Sequence, residues 1–267
     1  MDFTDHQLER YARHIMLPEV GGTGQERLLG ARVLVVGAGG LGSPLLLYLA
    51  AAGIGTLGVV DPDVVDLSNL QRQVIHDGAA LGQPKVASAA LRIRAINPEV
   101  RVETHQTRLS TANAAALIAG YDVIADGTDN FTARFLINDA CFFAGKTLVS
   151  AAILRFEGQI STFKPHAGPA HPCYRCLFPE PPPPGLVPSC AEGGVFGALA
   201  GAVGSFQAVE VLKEVLGIGD SLSGNLLLID ALSATFRKIR VPRDPHCRLC
   251  GAAPAITGLP PALSGAD

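Results

Sequence analysis

The stretch Val33-Leu34-Val35-Val36-Gly37-Ala38-Gly39-Gly40-Leu41-Gly42 decides the fold. An apolar run reads as a buried strand, and the glycines after it fit G-x-G-x-x-G at a strand-to-helix turn. A lone acid, Asp61, ends the next apolar run, Leu57-Gly58-Val59-Val60. Glycines let the backbone approach phosphates, and the helix N-terminus that follows favours their negative charge. The alternative is a turn that is glycine-rich only for tight packing. The two flanking elements and the acid together favour nucleotide binding. The loop by itself serves NAD and ATP equally.

The residues after Asp61 separate the two. Ser68-Asn69-Leu70-Gln71-Arg72-Gln73 and then Gln83-Pro84-Lys85 place two cations and several amides in one short stretch. An Arg fork holds phosphate oxygens in two places, and Lys acts as a compact charge. A dinucleotide site has little use for such a cluster, so the stretch points to ATP before NAD. Any one of these cations taken alone would read as a solvated surface residue.

Outward from the loop, strands expected at 32–37, 57–61, 100–105, 122–126 and 147–151 alternate with helices at 41–52, 84–96, 110–119 and 131–144. That alternation is the mark of an α/β fold with a Rossmann-like, doubly wound, mainly parallel sheet, here expected to be extended by antiparallel strands of the same domain. Pro84 suits a first helical position. Two short helices, over 5–14 and from Gln25 to Leu29, come before the loop. After Ser150 the pattern changes to alternating, half-buried antiparallel strands at 155–163, 225–230 and, in part, 235–240. Between them lies the Pro-rich segment Pro179 to Pro188, which is neither regular helix nor central strand. The Gly- and Ala-rich run from Gly193 to Gly217 reads as a helix packed closely against the sheet. The organisation expected is N-terminal helices over 1–30, a nucleotide-binding half over 31–150, antiparallel strands, crossover loop and cysteine knuckles over 151–251, and a flexible tail over 252–267.

With 267 residues, 48% of them hydrophobic, the chain can bury one sizeable core. A net charge of -3 gives no bulk attraction to nucleic acid or anionic membrane. The N-terminus lacks a signal pattern, and Gly and Pro break the apolar stretches, so no membrane span and a cytoplasmic location are expected. In that setting six cysteines read as metal ligands, nucleophiles or buried thiols rather than disulfides.

Four of the six form the knuckles Cys173-Tyr174-Arg175-Cys176 and Cys247-Arg248-Leu249-Cys250. Two C-x-x-C pairs supply four thiolates, a tetrahedral zinc set with no open position and hence a structural staple. Two independent redox pairs are the competing reading. Cys141 sits in an apolar helical pattern and reads as core. Cys190 stands apart, at the end of the Pro-rich segment and just before a helix. It is either an activated thiol on a loop or an unreactive helix-start residue. The fourth strand runs into Asp126-Gly127-Thr128-Asp129-Asn130, at the strand end where open parallel sheets form ligand crevices. A carboxylate there can hold magnesium on phosphates, or Asp129 or Asn130 simply caps the helix starting near Phe131. His14, His76 and His246 read as surface or hydrogen-bonding positions.

Taken together, these residues resemble the MoeB/ThiF family, bacterial relatives of the ubiquitin-activating enzymes. The matching words run from about Leu8 to Gly251: Arg10-Tyr11-Ala12-Arg13-His14, the loop 37–42, Asp61, Ser68 to Gln73, Gln83-Pro84-Lys85, Thr128-Asp129-Asn130, Glu157-Gly158-Gln159 and both knuckles. The resemblance implies an ATP-dependent adenylyltransferase. Its substrate would be the C-terminal glycine of a small ubiquitin-like sulfur carrier (MoaD/ThiS-like) ending in Gly-Gly. The pathways implied are molybdenum cofactor, thiamin, tRNA thiolation or cysteine synthesis.

By the same resemblance, Gly37, Gly39, Gly40 and Gly42 form the nucleotide loop and Asp61 binds the ribose. Ser68, Asn69, Leu70, Gln71, Arg72 and Lys85 belong to the nucleotide site, with Gly40, Asn69, Arg72 and Lys85 on phosphates. Asp129 would hold Mg²⁺ beside Asn130, and Cys173, Cys176, Cys247 and Cys250 would hold Zn²⁺. Arg13 would enter from a second subunit, so a homodimer is implied. Cys190 matches a loop cysteine that links covalently to the carrier in some members. The chain ends soon after Cys250, so an appended rhodanese domain is not expected. Sulfur would then come from a separate donor such as a cysteine desulfurase or rhodanese. Two rivals remain: an NAD-dependent oxidoreductase using the same loop, and a non-catalytic adaptor that only binds a carrier.

Overall fold

The computed structural model describes residues 3–183, 186 and 193–259. Cys190 lies outside them. The described strands join into one eight-stranded sheet in the order β3-β2-β1-β4-β5-β6-β7-β8. They are β1 Arg32–Val36, β2 Thr56–Val60, β3 Arg101–His105, β4 Val123–Asp126, β5 Thr147–Leu154, β6 Glu157–Phe163, β7 Asn225–Asp230 and β8 Thr235–Arg240. The first five pair in parallel and the last three antiparallel. The expected change of pattern after Ser150 is therefore real, and the antiparallel strands extend the parallel sheet.

The helices are α1 Asp5–Ile15, α2 Gly21–Gly30, α3 Gly42–Ala52, α4 Lys85–Ile96, α5 Ala114–Ala119, α6 Phe131–Ala144, α7 Tyr174–Leu177 and α8 Gly197–Leu216. Alternate residues of β1 feed two cores, because a strand's side chains point to opposite faces. Val33 and Val35 pack with Leu45, Leu46 and Leu49 of α3, Ile93 of α4 and Val203 and Val211 of α8. Leu34 and Val36 pack with Ile118 of α5, Phe135 and Ile137 of α6 and Tyr174 of α7. Both faces of the parallel strands are covered, as a doubly wound sheet requires. No helix among the described residues is long and apolar enough to cross a membrane.

Several boundaries differ from the expected ones, each for a local reason. Pro84 precedes α4 instead of opening it. Its backbone is extended in a bridge with Val64, and its carbonyl accepts from Ala87 and Ser88 N–H. The helix expected from 110 begins at Ala114, because Asn113 folds back on the preceding turn through Ser110 N–H and Arg108 C=O. Arg155 and Phe156 belong to the tight β5–β6 turn, where Arg155 has a positive φ of 54°. The tail is not loose as far as Leu259. Ala255 and Ile256 N–H both bond to Arg248 C=O, and the Ile256 side chain packs against the knuckle cysteines.

Candidate functional site

Strand order reverses between β1 and β4, whose neighbours lie on opposite sides, and a crevice opens beyond their C-terminal ends. The glycine loop leaves β1 at this point. Gly37 holds φ +97°, and its α-carbon lies so close to the Gly127 carbonyl that a side chain would press on backbone. Gly42 is tighter still: a Cβ there would sit 1.9 Å from the Gly37 carbonyl oxygen. The loop is thus wound against itself and against the end of β4, which only glycine permits.

Ala38, inside the loop, is fixed at both ends of its peptide unit. Its N–H donates to Asp61 Oδ2 at 2.8 Å. Its C=O accepts from His76 Nε2 at 2.9 Å, so that nitrogen carries the proton. The other ring nitrogen, Nδ1, then accepts from the Ser88 hydroxyl of α4 at 2.9 Å. His76 is buried, and desolvation pulls its pKa below the ordinary 6.5. The sequence admitted a hydrogen-bonding role for it. What it could not show was the partner, 38 residues back in the glycine loop.

Beyond the loop lies a cavity of 530 Å³. Of the residues singled out from sequence, Gly37, Gly39, Gly40, Asp61, Arg72, Lys85, Asp129 and Asn130 line it. Asp61 is buried and its other oxygen accepts from Asp63 N–H at 2.9 Å, which fixes the carboxylate at the rim of β2. Arg72 donates to the Ser68 carbonyl at 3.0 Å, with its side-chain stem over Gly40. Lys85, at the start of α4, is buried and reaches Asp63 at 3.0 Å. Asp129 is exposed on the cavity wall. Asn130 accepts from Ala133 N–H at 2.9 Å, so it caps α6 as well as lining the cavity. Asp129 does not share that cap.

Ser68, Asn69, Leu70 and Gln71 do not line the cavity. They belong to a turn in which the Asp66 carboxylate takes the Ser68 N–H and the Asn69 side chain reaches back to Asp66 N–H. The Ser68 carbonyl of this turn is the group that the Arg72 guanidinium meets. Arg13 is exposed on α1, where its guanidinium meets only Met16 among the described residues, and is not part of the cavity wall. Gln73, Arg108 and Arg134 do line it, although spacing alone did not single out the last two. Neither belongs to a run of cations, which was the signal that exposed Arg72 and Lys85.

The four knuckle cysteines meet at the far end of the second core. Their sulfurs all lie within 4.8 Å of one another, with Cys173–Cys247 at 3.6 Å, Cys173–Cys176 at 3.9 Å and Cys176–Cys250 at 3.4 Å. Tetrahedral zinc with bonds of about 2.3 Å spaces its sulfurs by about 3.8 Å, so the set fits that ion. The first knuckle is tied to α6: Arg175 forks onto Asp139 at 2.7 and 2.8 Å, and Tyr174 N–H donates to Asn138 at 2.8 Å. The second is tied to the Pro165–Gly168 turn by Arg243, which also donates to Cys250 C=O. Cys141 is buried core, and burial pushes its thiol up, away from the reactive form.

A family model described as the ThiF family matches residues 11–249. The sulfur carrier protein adenylyltransferase of Thermus thermophilus is 53% identical over 256 residues, covering 95% of this chain and 94% of the relative. The SAMP-activating enzyme E1 of Haloferax volcanii is 52% identical, with 92% and 89% covered. The probable adenylyltransferase/sulfurtransferase MoeZ of Mycobacterium tuberculosis is 53% identical, and this chain spans 63% of its length. Among solved structures, E. coli MccB with MccA-N7isoASN matches with a TM-score of 0.78 at 20% identity, over 94% of this chain and 76% of that one. At that identity the likeness speaks for the fold alone. The glycine loop, the reversal of strand order and the paired knuckles stand within a match spanning most of the sequence, and the chain belongs to the ThiF family.

Proposed function

We propose that this protein is an ATP-dependent adenylyltransferase that activates the C-terminal glycine carboxylate of a small ubiquitin-like sulfur carrier. One observation carries the reading: in a ThiF-family chain, a single cavity collects the glycine loop, Asp61, Arg72, Lys85 and Asp129. The glycine-loop backbone and the N-terminus of α3 suit phosphates, and Asp61 suits the ribose. Arg72 and Lys85 supply positive charge where a triphosphate gathers it during reaction.

The chemistry requires little acid–base help. A carrier carboxylate is already ionised at neutral pH. One of its oxygens attacks the α-phosphorus, an acyl–O–P bond forms, and the bond to the bridging oxygen breaks. Pyrophosphate leaves with that electron pair, and no proton changes hands. Asp129 is the carboxylate that would hold Mg²⁺, which when bound neutralises the phosphates and orients the leaving group. The four cysteines would hold Zn²⁺ as a staple. In a homodimer, Arg13 of one subunit would add a cation to the partner's site. Attack on the acyl-adenylate would follow and release AMP, either by the Cys190 thiol, which would form a thioester with the carrier, or by a persulfide from a separate donor, which would form an acyl disulfide and bring sulfur onto the carrier.

The deciding experiment is exchange of labelled pyrophosphate into ATP, with and without a candidate carrier ending in Gly-Gly. Carrier-dependent exchange is expected. Thermal stabilisation by NADH and none by Mg-ATP would return the site to an oxidoreductase. Stabilisation by Mg-ATP with no exchange for any carrier would leave a binding adaptor.

A further inference from the structure

Arg134 is a buried cation without a buried anion. It is 8% exposed, on the first turn of α6. Its Nη2 donates to the Thr128 carbonyl at 2.8 Å, and its guanidinium carbon lies 5.7 Å from the centre of the Phe131 ring. Its Nε is buried with no hydrogen-bond partner. Among the described residues, no carboxylate lies within ion-pair distance of it. The acid at the end of β4, Asp126, is already engaged: Oδ1 takes Thr128 N–H and Oγ1–H, and Oδ2 takes the Ser150 hydroxyl. The neighbouring Tyr174 phenol supplies no charge either, because burial raises its pKa to about 12. Among the described residues one other cation is buried as deeply, and it has an acid: Lys85 pairs with Asp63. Burying a charge without a partner is costly, and it persists where a ligand supplies the partner.

The place says which ligand. The 530 Å³ nucleotide cavity adjoins a second one of 220 Å³, walled by Phe131, Leu154, Glu157, Gly158, Gln159 and Leu228. Asp129, Arg134 and Ile153 line both. The nucleotide phosphates belong to the first cavity, on Arg72 and Lys85. A second anion placed where the two cavities meet has Arg134 on the wall beside it. We propose that Arg134 is a catalytic residue that receives the terminal carboxylate of the carrier and aligns one of its oxygens on the α-phosphorus. A fork cation suits this task, since it holds a planar carboxylate in two places and screens its approach to a polyanion. The guanidinium keeps its protons throughout, so the step has the same balance as above: acyl–O–P bond formed, P–O bond to pyrophosphate broken. The assignment rests on the adenylation reading.

The test compares two synthetic decapeptides of one sequence ending in Gly-Gly, one the free acid and one the C-terminal amide. Each is titrated into the whole protein with Mg²⁺ and α,β-methylene-ATP, which blocks cleavage. The wild-type protein should bind the acid at least tenfold more tightly than the amide. Arg134→Gln should bind both alike. A merely structural role would weaken both peptides together and leave the ratio intact, and that result overturns the assignment while sparing the adenylation reading. No preference for the acid in the wild type overturns both. Should Arg134→Gln fail to fold, Arg134→Lys keeps the charge and gives up the fork. Its ratio should fall at least threefold, and an unchanged ratio again overturns the assignment.

Discussion

The nucleotide cavity and the four-cysteine cluster are built from the same chain by opposite rules. Around the cavity, the backbone is heavily fixed while functional groups are left open. Ala38 is clamped on both sides and Gly42 is wedged against Gly37, yet Asp129 faces solvent. At the cluster the functional atoms themselves are enclosed: Cys173, Cys247 and Cys250 are buried and the sulfurs fill one another's surroundings. An open set of groups on a rigid frame is suited to a ligand that comes and goes. A closed set is suited to an ion that stays.

The contrast breaks most readily at Lys85. Lys85→Ala is expected to lower carrier-dependent pyrophosphate exchange by roughly 10²–10³-fold, the usual effect of removing one charge-stabilising group. Its melting temperature should move by no more than a few degrees, since the Asp63 partner is 60% exposed and the pair is worth little. Wild-type exchange rates in this variant would remove Lys85 from the site. Cys173→Ser should do the reverse. Loss of one of four enclosed ligands is expected to lower the melting temperature by roughly 10 °C or more, at about 2–4 °C per kcal/mol for a chain of this size, and to lower bound zinc measured by mass spectrometry. Full zinc content in that variant would refute a four-cysteine site.

A milder probe lies one layer out. Arg175→Ala removes the fork onto Asp139 that ties the first knuckle to α6. A roughly tenfold weaker hold on zinc is expected in a chelator competition, by analogy with other groups that orient metal ligands. Equal competition curves would show that the fork holds only the helix.

The smallest expected effect is a pH dependence at the loop. Burial holds the folded-state pKa of His76 below 6.5, so as pH falls through 6.5 the unfolded chain takes up a proton that the folded chain refuses. The contribution of His76 is therefore fully present above 6.5 and is lost as pH falls toward the depressed folded value. His76→Gln should flatten the stability profile across that window. An unchanged profile would place its origin in another group.

Much of this arrangement was legible in the residues, and the reason is local geometry. The glycine loop, Asp61 and the C-x-x-C pairs are short-range patterns, each readable because the chemistry needs neighbours at fixed spacing. Arg72 and Lys85 stood out by clustering. Arg134 and His76 gave no such signal. Arg134 matters through the meeting of two cavities, one of them walled by β6 and β7, and His76 through a bond to a loop 38 residues away. The same limit applies to Ser68–Gln71. Sequence placed them beside the cations, but a turn closed by Asp66 keeps them off the cavity wall. The reach of the tail was hidden too, because Pro, Gly and Ala give no sign that Ile256 covers the cysteines.

The pairing of Lys85 with Asp63 has one further consequence. This ammonium is held, at 3.0 Å, by an acid of the same chain that is itself mostly in water. A ligand reaching Lys85 competes with that acid and gains only the difference between two attractions. A neutral nucleoside gains nothing by the exchange, whereas a triphosphate replaces one negative charge with several and releases Asp63 to the solvent that already surrounds it. On the proposed reading, discrimination between charged and uncharged nucleotides is then a matter of competition within the protein and does not require a pocket shaped to refuse the smaller molecule.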